Sequence, residues 1–369
     1  MNKIILLSAS LISVMAAYGQ SDTSKQANKG SFEYTFYVDA YYSYDLNEPH
    51  DHNRPDFLFQ YNRNNQIGIN MAVAKVSYTR GGLTANLGLN TGDFPAANMA
   101  HERELLRMLY EANINYRFLK KFEFTMGMFG SHMGFESALS YDNLLTSHSL
   151  TSEWTPYYLA GAKLGYNASD KWYFGVTVAN GNQTITENEG NTNKLLGLQA
   201  TWSPSEKVTV NYSNMYYNDQ PDSAANFIFY NNLYSTMALS KKLDLVVGFD
   251  FALSDNRVTN KQDNIYAGSL LARYKLSDQF AVAGRYEYYS DEAGVFIQTD
   301  VVNPFVTSCY SLNFDYSPIK NVKFRLEGRM FSAEKPFYRD DSDYDPNTST
   351  TIKYTNSNSN ILFTVQAKF

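Results

Sequence analysis

Apolar and charged residues alternate one by one through many short segments of this chain. Residues 321–331, NVKFRLEGRMF, are a clear example of such a segment. Four apolar residues share one side of an extended strand here: Val322, Phe324, Leu326 and Met330. Four charged residues share the other side: Lys323, Arg325, Glu327 and Arg329. Because a side with four charges cannot lie in a dry core, such a strand needs water on one face and an apolar environment on the other.

The same alternation recurs in about sixteen segments of the sequence. They begin near residues 32, 65, 82, 106, 121, 157, 171, 194, 206, 226, 243, 264, 279, 307, 321 and 360. In the segment 121–130, Phe124, Met126 and Met128 are on the apolar side. The segment 226–240 is less regular. Most of the predicted strands thus have one apolar face and one polar face.

The connections between these segments alternate between short and long. Short turns are predicted near 79–82, 119–121, 167–171, 203–207, 240–242, 276–279 and 317–321. Long loops are predicted near 46–63, 92–104, 131–156, 181–193, 218–225, 255–263, 290–305 and 333–358. This sorting is typical of an outer-membrane barrel with short periplasmic turns and long extracellular loops.

A membrane explains both faces of the strands. In hydrocarbon every backbone polar group needs an internal partner, so strands can cross only as a closed sheet. Lipid then covers the apolar face, and water in the lumen solvates the charged face. The sequence therefore predicts an all-β fold: one transmembrane antiparallel up-and-down β-barrel of about 16 strands over residues 32–369. Trp172 and Trp202, beside short turns, are expected in the aromatic belt at one interface.

The first residues have the features of a secretory leader. Lys3 precedes the apolar stretch IILLSASLISVMAA, and Ala17-Tyr18-Gly19 provides small residues for cleavage. We expect residues 1–19 to be a signal peptide and 20–31 a short periplasmic tail. A membrane-anchoring helix is the alternative, but the apolar run is shorter than the roughly 20 residues that a span needs. The expected location is the outer membrane of a Gram-negative cell.

Composition excludes several functional classes. The chain has 31 Lys and Arg against 37 Asp and Glu, a formal net charge of -6, which does not suggest nucleic acid as a partner. A single cysteine, Cys309, excludes an internal disulfide framework and a thiolate metal cluster.

Several stretches resemble the OmpL-like β-barrel porin family. They are VDAYYSYDLNEP (38–49), QYNRNNQIGINMAVAKV (60–76), YEANINYRF (110–118), GMFGSHMGFESALSYDNLLTSHSL (127–150), TPYYLAGAKLGY (155–166) and ANGNQ (179–183). The resemblance implies an outer-membrane porin without assigned catalytic residues or cofactor. The last strand ends in Phe369, and a terminal aromatic residue resembles the signal by which barrel-assembly machinery recognises its clients. A homotrimer is possible.

The predicted function is an aqueous channel for passive diffusion of small polar solutes and ions. The third long loop, 131–156, is the expected constriction, with Glu136, Asp142 and Glu153. The strand pattern puts these basic residues on the lumen wall: Arg107, Arg117, Lys163, Arg273, Arg285, Lys323, Arg325 and Arg329. An acidic loop facing a basic wall would create a transverse field in the pore. Alternatively, these charges only solvate a wide lumen.

Other functions are weaker hypotheses. The last long loop, rich in Asp, Ser, Thr and Asn, could belong to a surface receptor or adhesin. A hydrolase would need a Ser and a His within hydrogen-bond reach, and the third long loop offers Ser131, His132, Ser147, His148 and Ser149. His50 and His52 could share a divalent cation, although a surface loop is a poor metal cage. We expect no enzyme and no metal.

Overall fold

The computed structural model describes residues 29–345, 347 and 352–369. Sixteen strands of this part of the chain form one closed antiparallel barrel. The first fifteen, β1 to β15, are Ser31–Asp45, Gln66–Arg80, Leu83–Thr91, Leu109–Phe118, Phe122–Gly130, Tyr158–Ser169, Trp172–Ala179, Leu195–Ser205, Val208–Tyr217, Asn226–Ala238, Leu243–Asn256, Lys261–Lys275, Phe280–Asp291, Phe305–Ile319 and Val322–Ala333. A separate hairpin follows, of β16 (Tyr338–Asp340) and β17 (Lys353–Thr355), and β18 (Ser357–Lys368) completes the barrel.

The predicted barrel and its sixteen strands are confirmed. The largest displacements of a strand start are at β4, β12 and β18, which begin at 109, 261 and 357 rather than near 106, 264 and 360. The predicted leader, 1–19, and residues 20–28 of the predicted tail lie outside the described residues.

Short helices lie in the connections. Helix α1 (Asp93–Asn98) follows β3, and helix α2 (Leu150–Glu153) lies between β5 and β6. Single 3-10 turns occur at Leu106–Met108, Ser140–Asp142 and Asp222–Ala224. None of the helices in the described ranges is long and apolar enough to cross a membrane.

The barrel closes between its first and last strands. β1 pairs with β18, with Tyr37 opposite Lys368. The backbone NH of Phe369 donates to the carbonyl of Phe36 at 2.9 Å, and the NH of Phe36 donates back to the carbonyl of Phe369 at 3.2 Å. The last residue of the chain is therefore part of the seam, and its ring is exposed on the outside of the barrel.

The two faces of the strands differ as the alternation predicts. On β15, Leu326 is 46% exposed on the outer face, whereas Arg325 is 1% exposed on the inner face. The outer face is covered by lipid in a membrane. Trp172 and Trp202 are opposite each other on neighbouring strands at the periplasmic rim, with ring centroids 5.9 Å apart. Such paired indoles suit the membrane-water interface.

One strand departs from the predicted alternation near its extracellular end. Gly127 of β5 has a φ of 123°, in a region that favours glycine. Met128, predicted to face lipid, is buried in a cluster with Met99 and Tyr158. The connection between β3 and β4 packs over this part of β5, so the side chain is covered by protein instead of lipid.

The alternation of short and long connections is confirmed at most positions. The predicted long loop at 255–263 is instead a turn, since β11 continues to Asn256 and β12 begins at Lys261. The paired strands extend past the region where one face is apolar, so periodicity does not reveal their ends.

An apolar cluster fills part of the extracellular mouth of the barrel. Leu58, Ile297 and Phe337 come from three different long loops and pack with inward-facing strand residues such as Ile265 and Phe331. The long loops therefore fold inward and form a core with the strands, rather than standing free above the membrane.

Candidate functional site

Residues 131–157, which we call the inner loop, cross the lumen from the extracellular rim to the periplasmic rim. The loop leaves β5 at Gly130 on the extracellular side. Its Tyr141 hydroxyl donates to the carbonyl of Lys320, in the periplasmic turn between β14 and β15. The ammonium group of Lys368, at the periplasmic end of β18, lies 2.6 Å from a carboxylate oxygen of Asp142. These contacts place the inner loop inside the lumen.

Arg325 fastens the middle of the inner loop to the barrel wall. Its guanidinium donates to the carbonyl oxygens of Ser140 at 2.7 Å, Leu144 at 3.0 Å and Leu145 at 3.2 Å. It also forms an ion pair with Asp315 on β14, at 2.7 Å. The guanidinium has five N–H donors in a planar fork, so it can bind several carbonyls and a carboxylate at once.

A second contact holds the loop near Ser147. Arg285 of β13 donates to the Ser147 carbonyl at 2.6 Å, and Glu327 of β15 accepts from the Ser147 backbone NH at 2.7 Å. Arg329 pairs with Glu287 at 3.0 Å, and Glu287 accepts from the Leu150 NH at 2.5 Å. Buried charges of both signs are therefore paired with each other and with the loop backbone, as burial requires.

The predicted basic wall residues fall into three groups: those that bind the inner loop, those that contact other strand residues, and two that lie elsewhere. Lys323 joins the three arginines above, since its ammonium donates to the Tyr141 carbonyl at 2.5 Å. Arg273 pairs with Asp244 at 2.8 Å, and Lys163 is buried with its ammonium 5.5 Å from the centre of the Phe129 ring.

Two further predicted wall residues lie elsewhere. Arg117 is at the periplasmic end of β4, opposite Glu123 in the strand register. The prediction that Arg107 lies on a strand of the lumen wall is wrong, because the residue is in a 3-10 turn before β4. Its guanidinium donates to the carbonyls of Glu102 at 2.8 Å and Ala100 at 2.6 Å. These bonds stabilise the connection between β3 and β4.

The three acidic residues predicted in the constriction all have partners. Glu136 accepts from the NH of Ser149 at 2.7 Å, and Asp142 pairs with Lys368. Glu153 accepts from the NH of Phe59 at 3.2 Å, and burial raises the pKa of its carboxyl to about 7. The loop is thus in direct contact with the basic wall and does not face it across open water.

The inner loop's serines and histidines do not meet. His132 Nε2 donates to the Asn214 carbonyl at 2.9 Å, and His148 bonds to Gln60, to the Ser137 carbonyl and to Tyr157. Ser147 and Ser149 donate their hydroxyls to Glu327 and Glu136. Within the described part of the chain, no serine hydroxyl is hydrogen-bonded to the ring of either histidine; the Ser213 hydroxyl donates to the backbone carbonyl of His132 at 2.8 Å.

The two histidines proposed as a metal pair also separate. His50 Nδ1 lies 2.7 Å from Asp341, and its ring stacks on Tyr344 of the last long loop. His52 contacts the Asn64 carbonyl at 3.2 Å. His50 therefore connects the first long loop to the last, whereas His52 bonds within the connection between β1 and β2.

A cavity of about 330 Å³ lies between the inner loop and strands β2 to β10. We call it the side passage. At its extracellular end it is lined by Asn90 and Phe94, and at its periplasmic end by Lys171 and Ser203. The lining thus extends over the height of the barrel, on the side opposite Arg285, Arg325 and Arg329.

Sequence reasoning missed several lumen residues. Tyr61 of the first long loop is fully buried, and its hydroxyl donates to Asp39 of β1 at 2.6 Å. Arg54 of the same loop lies 3.5 Å from Asp45. The signal was present in part, because Asp39 and Asp45 are on the polar side of β1, but nothing in the pattern indicates which loop residues would bind them.

A comparison with known protein families identifies the family of this chain. Residues 31–369 match the family described as "Putative beta-barrel porin-2, OmpL-like". The chain belongs to this family and is an outer-membrane porin. A search among curated proteins finds no match.

Solved structures share the fold of this porin at low sequence identity. An anion-selective porin from Comamonas acidovorans has a TM-score of 0.62 and 9% identity, with 92% of this chain and 100% of that chain covered. The trimer form of OmpT, an outer membrane protein of Vibrio cholerae, has a TM-score of 0.60 and 11% identity, with 93% and 100% covered. The outer membrane channel DcaP of Acinetobacter baumannii has a TM-score of 0.58 and 8% identity, with 95% and 100% covered.

Proposed function

We propose that this porin conducts small polar solutes and ions passively through the side passage. The observation that carries the proposal is the lining of that cavity, which includes Asn90 near one rim and Ser203 near the other. A barrel of about this strand number has room for an aqueous channel, and the inner loop leaves that room on one side only. We therefore expect a narrow pore.

Passive diffusion is favoured because the loop is fixed. The contacts of Arg325 and Arg285 with loop carbonyls involve buried, paired charges, whose rupture is costly. A loop held in this way is a permanent constriction and not a lid that opens with each solute.

Single-channel recording in a planar bilayer tests this proposal. The purified mature porin should give stable, ohmic steps that are small for a barrel of this size. A correctly folded barrel without conductance would overturn the proposed function.

Cysteine modification locates the pore. The native Cys309 is buried, so it provides little background for a charged thiol reagent. Thr201 lines the side passage, and Thr201→Cys should lose conductance on modification. Thr259→Cys, in the exposed turn between β11 and β12, is the matched control and should conduct as before. Unchanged current through modified Thr201→Cys would mean that solutes take another route.

We also propose how this porin is processed and assembled. Residues 1–19 would be removed as a signal peptide, with 20–31 left as a periplasmic tail. Barrel-assembly machinery would recognise the terminal Phe369, whose ring is exposed, and outer-membrane lipid would surround the barrel. A homotrimer is supported by the trimer form of the similar OmpT fold. N-terminal sequencing and light scattering of the detergent-solubilised protein test cleavage and oligomeric state.

We assign this porin no catalytic reaction and no cofactor. Support comes from the inner loop, where His132 and His148 bond to backbone and amide groups, and Ser147 and Ser149 to carboxylates. An ester hydrolysis assay on the folded barrel would oppose this assignment if it detected activity that His132→Ala abolished.

A further inference from the structure

The charged side chains that line the side passage are mainly acidic. Four carboxylates take part in the lining: Glu111, Glu123, Glu136 and Asp170. One basic side chain does so, that of Lys171, which neighbours Asp170 at the periplasmic end. In the part of the barrel that the structure describes, this passage therefore has an excess of negative charge.

The arginines of the lumen do not cancel this excess. Arg285, Arg325 and Arg329 are each at most 4% exposed and lie under the inner loop. Their charges are matched locally by Asp315, Glu287 and Glu327. Since each guanidinium is paired at close range, little net field from this wall reaches the opposite side of the lumen.

Two lysines stand near the acidic lining. Lys75 pairs with Glu111 at 2.7 Å, which neutralises that carboxylate. Lys163 is on the strand next to Glu123, but it is 5% exposed and its ammonium lies against the Phe129 ring. Glu123, Glu136 and Asp170 remain as the lining carboxylates without a salt bridge to Lys or Arg among the described residues, and Asp170 lies beside Lys171 in the exposed periplasmic turn.

Several uncharged groups of the lining are hydrogen-bond acceptors without a donor, and they too would favour a cation that has N–H groups. Asn90 Nδ2 donates to the Leu109 carbonyl and Gln199 Nε2 donates to Asn211, so each side chain keeps its oxygen without a partner. His132 Nε2 donates to a carbonyl, which leaves Nδ1 as an unpartnered acceptor, and one oxygen of Glu136 also has none. Buried acceptors without donors are costly, and a solute with N–H groups would satisfy them.

Aromatic rings complete the lining. Phe94, Tyr110 and Tyr157 border the cavity, and the ring centroids of Phe94 and Tyr157 are 5.2 Å apart. The face of an aromatic ring attracts cations, and this attraction adds to that of a carboxylate. The same ring faces repel a small anion.

We propose that the side passage selects small cations and prefers those that carry N–H donors, such as primary alkylammonium ions. This inference rests on the proposed porin function, because it names the solute class of the same passage. Carboxylates draw the cation in, unpartnered acceptors bind its N–H groups, and aromatic faces contact its charge.

Reversal potentials across a potassium chloride gradient test the charge selectivity. The wild-type porin should pass potassium in preference to chloride. The double variant Glu123→Gln/Glu136→Gln should lower that preference by roughly fivefold for each carboxylate, because one charge at about 8 Å in water changes the potassium and chloride concentrations about twofold each, in opposite directions. The control variant Asp300→Asn/Glu334→Gln removes the same charge from exposed extracellular loops and should leave the reversal potential unchanged.

A pair of organic probes tests the role of the N–H donors. Ethylammonium and tetramethylammonium are small monovalent cations, but only ethylammonium has N–H groups. Bi-ionic reversal potentials should favour ethylammonium by more than the ratio of the two aqueous mobilities. Gln199→Leu removes one unpartnered acceptor without changing charge and should reduce this excess.

The outcomes separate the two proposals. A porin that conducts but prefers chloride, or that ignores Glu123 and Glu136, would overturn the selectivity and leave the channel intact. Equal passage of the two ammonium ions, corrected for mobility, would overturn the role of the donors. Loss of all conductance in the folded wild-type protein would instead overturn the channel function itself.

Discussion

Arg325 on β15 holds Asp315 on β14 by two charge-assisted bonds, at 2.7 Å from Nε and 3.2 Å from a terminal nitrogen. The same guanidinium binds carbonyls of the inner loop, so one side chain connects the barrel wall with the constriction. The strand-to-strand pair orients the arginine, and the arginine in turn fixes the path of the loop. The width of the side passage therefore depends on a residue that is on the far side of the lumen.

Replacement of Arg325 should release the inner loop. Arg325→Ala leaves Asp315 buried without its partner and removes the donors to the loop carbonyls. We expect a loss of about 3–5 kcal/mol in the free energy of unfolding, the usual result of breaking a buried ion pair. Single-channel conductance should rise and become noisier.

Arg325→Lys is the matched control for this change. It keeps the charge beside Asp315 but cannot donate to several carbonyls at once. Its conductance noise should lie between those of the wild type and Arg325→Ala. Wild-type conductance in both variants would show that the loop is held by other contacts.

The contact between Lys368 and Asp142 should hold only the periplasmic tip of the inner loop. Both side chains are about one-quarter exposed, so the pair contributes at most about 1 kcal/mol and is screened by salt. Lys368→Met should increase current noise at low ionic strength and have little effect in molar salt. Equal noise in both conditions would argue against an electrostatic contact.

Acid should loosen the inner loop through its histidines. Burial lowers the pKa of His132 to about 4 and that of His148 to about 3. A released loop would have histidines with pKa near 6.5, so below that pH the released state binds more protons and is favoured. Each histidine should weaken docking by about 1.4 kcal/mol per pH unit between 6.5 and its lowered pKa. Glu153 acts oppositely, because its pKa is raised to about 7 and the docked state binds its proton between about 4.3 and 7.

Amide hydrogen exchange of residues 131–157, corrected for intrinsic pH dependence, measures these slopes. His132→Gln should make protection of the loop less sensitive to acid, and Glu153→Gln should make it more sensitive. Slopes identical to that of the wild type in both variants would contradict the assignment of these groups.

Gly127 should be required for the path of β5. A Cβ atom at this position would lie 2.3 Å from the Ala112 carbonyl oxygen, and the φ of 123° disfavours any L side chain. Gly127→Ala should lower the free energy of unfolding by at least about 1–3 kcal/mol, measured by urea titration in detergent or lipid vesicles. Gly328→Ala is the matched control, because its Cβ would meet no atom within 4 Å, and it should be nearly neutral. Equal effects of the two substitutions would disprove the requirement.

The strands were predictable because lipid and water impose a period of two. That constraint acts on every residue of a membrane-spanning strand, so Arg325 and Leu326 can be assigned to opposite faces from the sequence alone. It ceases beyond the membrane, where both faces of a strand can be polar. This is why the ends of β11 and β12 were missed.

The candidate site was less predictable, because it depends on the path of a loop. The pattern assigned Arg285, Arg325 and Arg329 to the inner face of the barrel, where they are found. It could not tell whether each guanidinium would meet water or a loop carbonyl, since that choice depends on residues 140–149, far away in the chain. The excess of negative charge in the side passage arises because these arginines bind the inner loop and its neighbouring carboxylates, and the sequence does not indicate those contacts.

The pairing of β1 with β18 has a consequence for the order of folding. Tyr37 meets Lys368 only after the entire intervening chain has been made, so this contact has one of the greatest sequence separations in the molecule. Long-range pairings of this kind are slow because the entropy of closing the loop is lost before the contact forms. Until then β1 has an unpaired edge that can join a strand of another chain. Closure of the seam, and not formation of the hairpins, is therefore the step at which a nascent barrel is most exposed to aggregation.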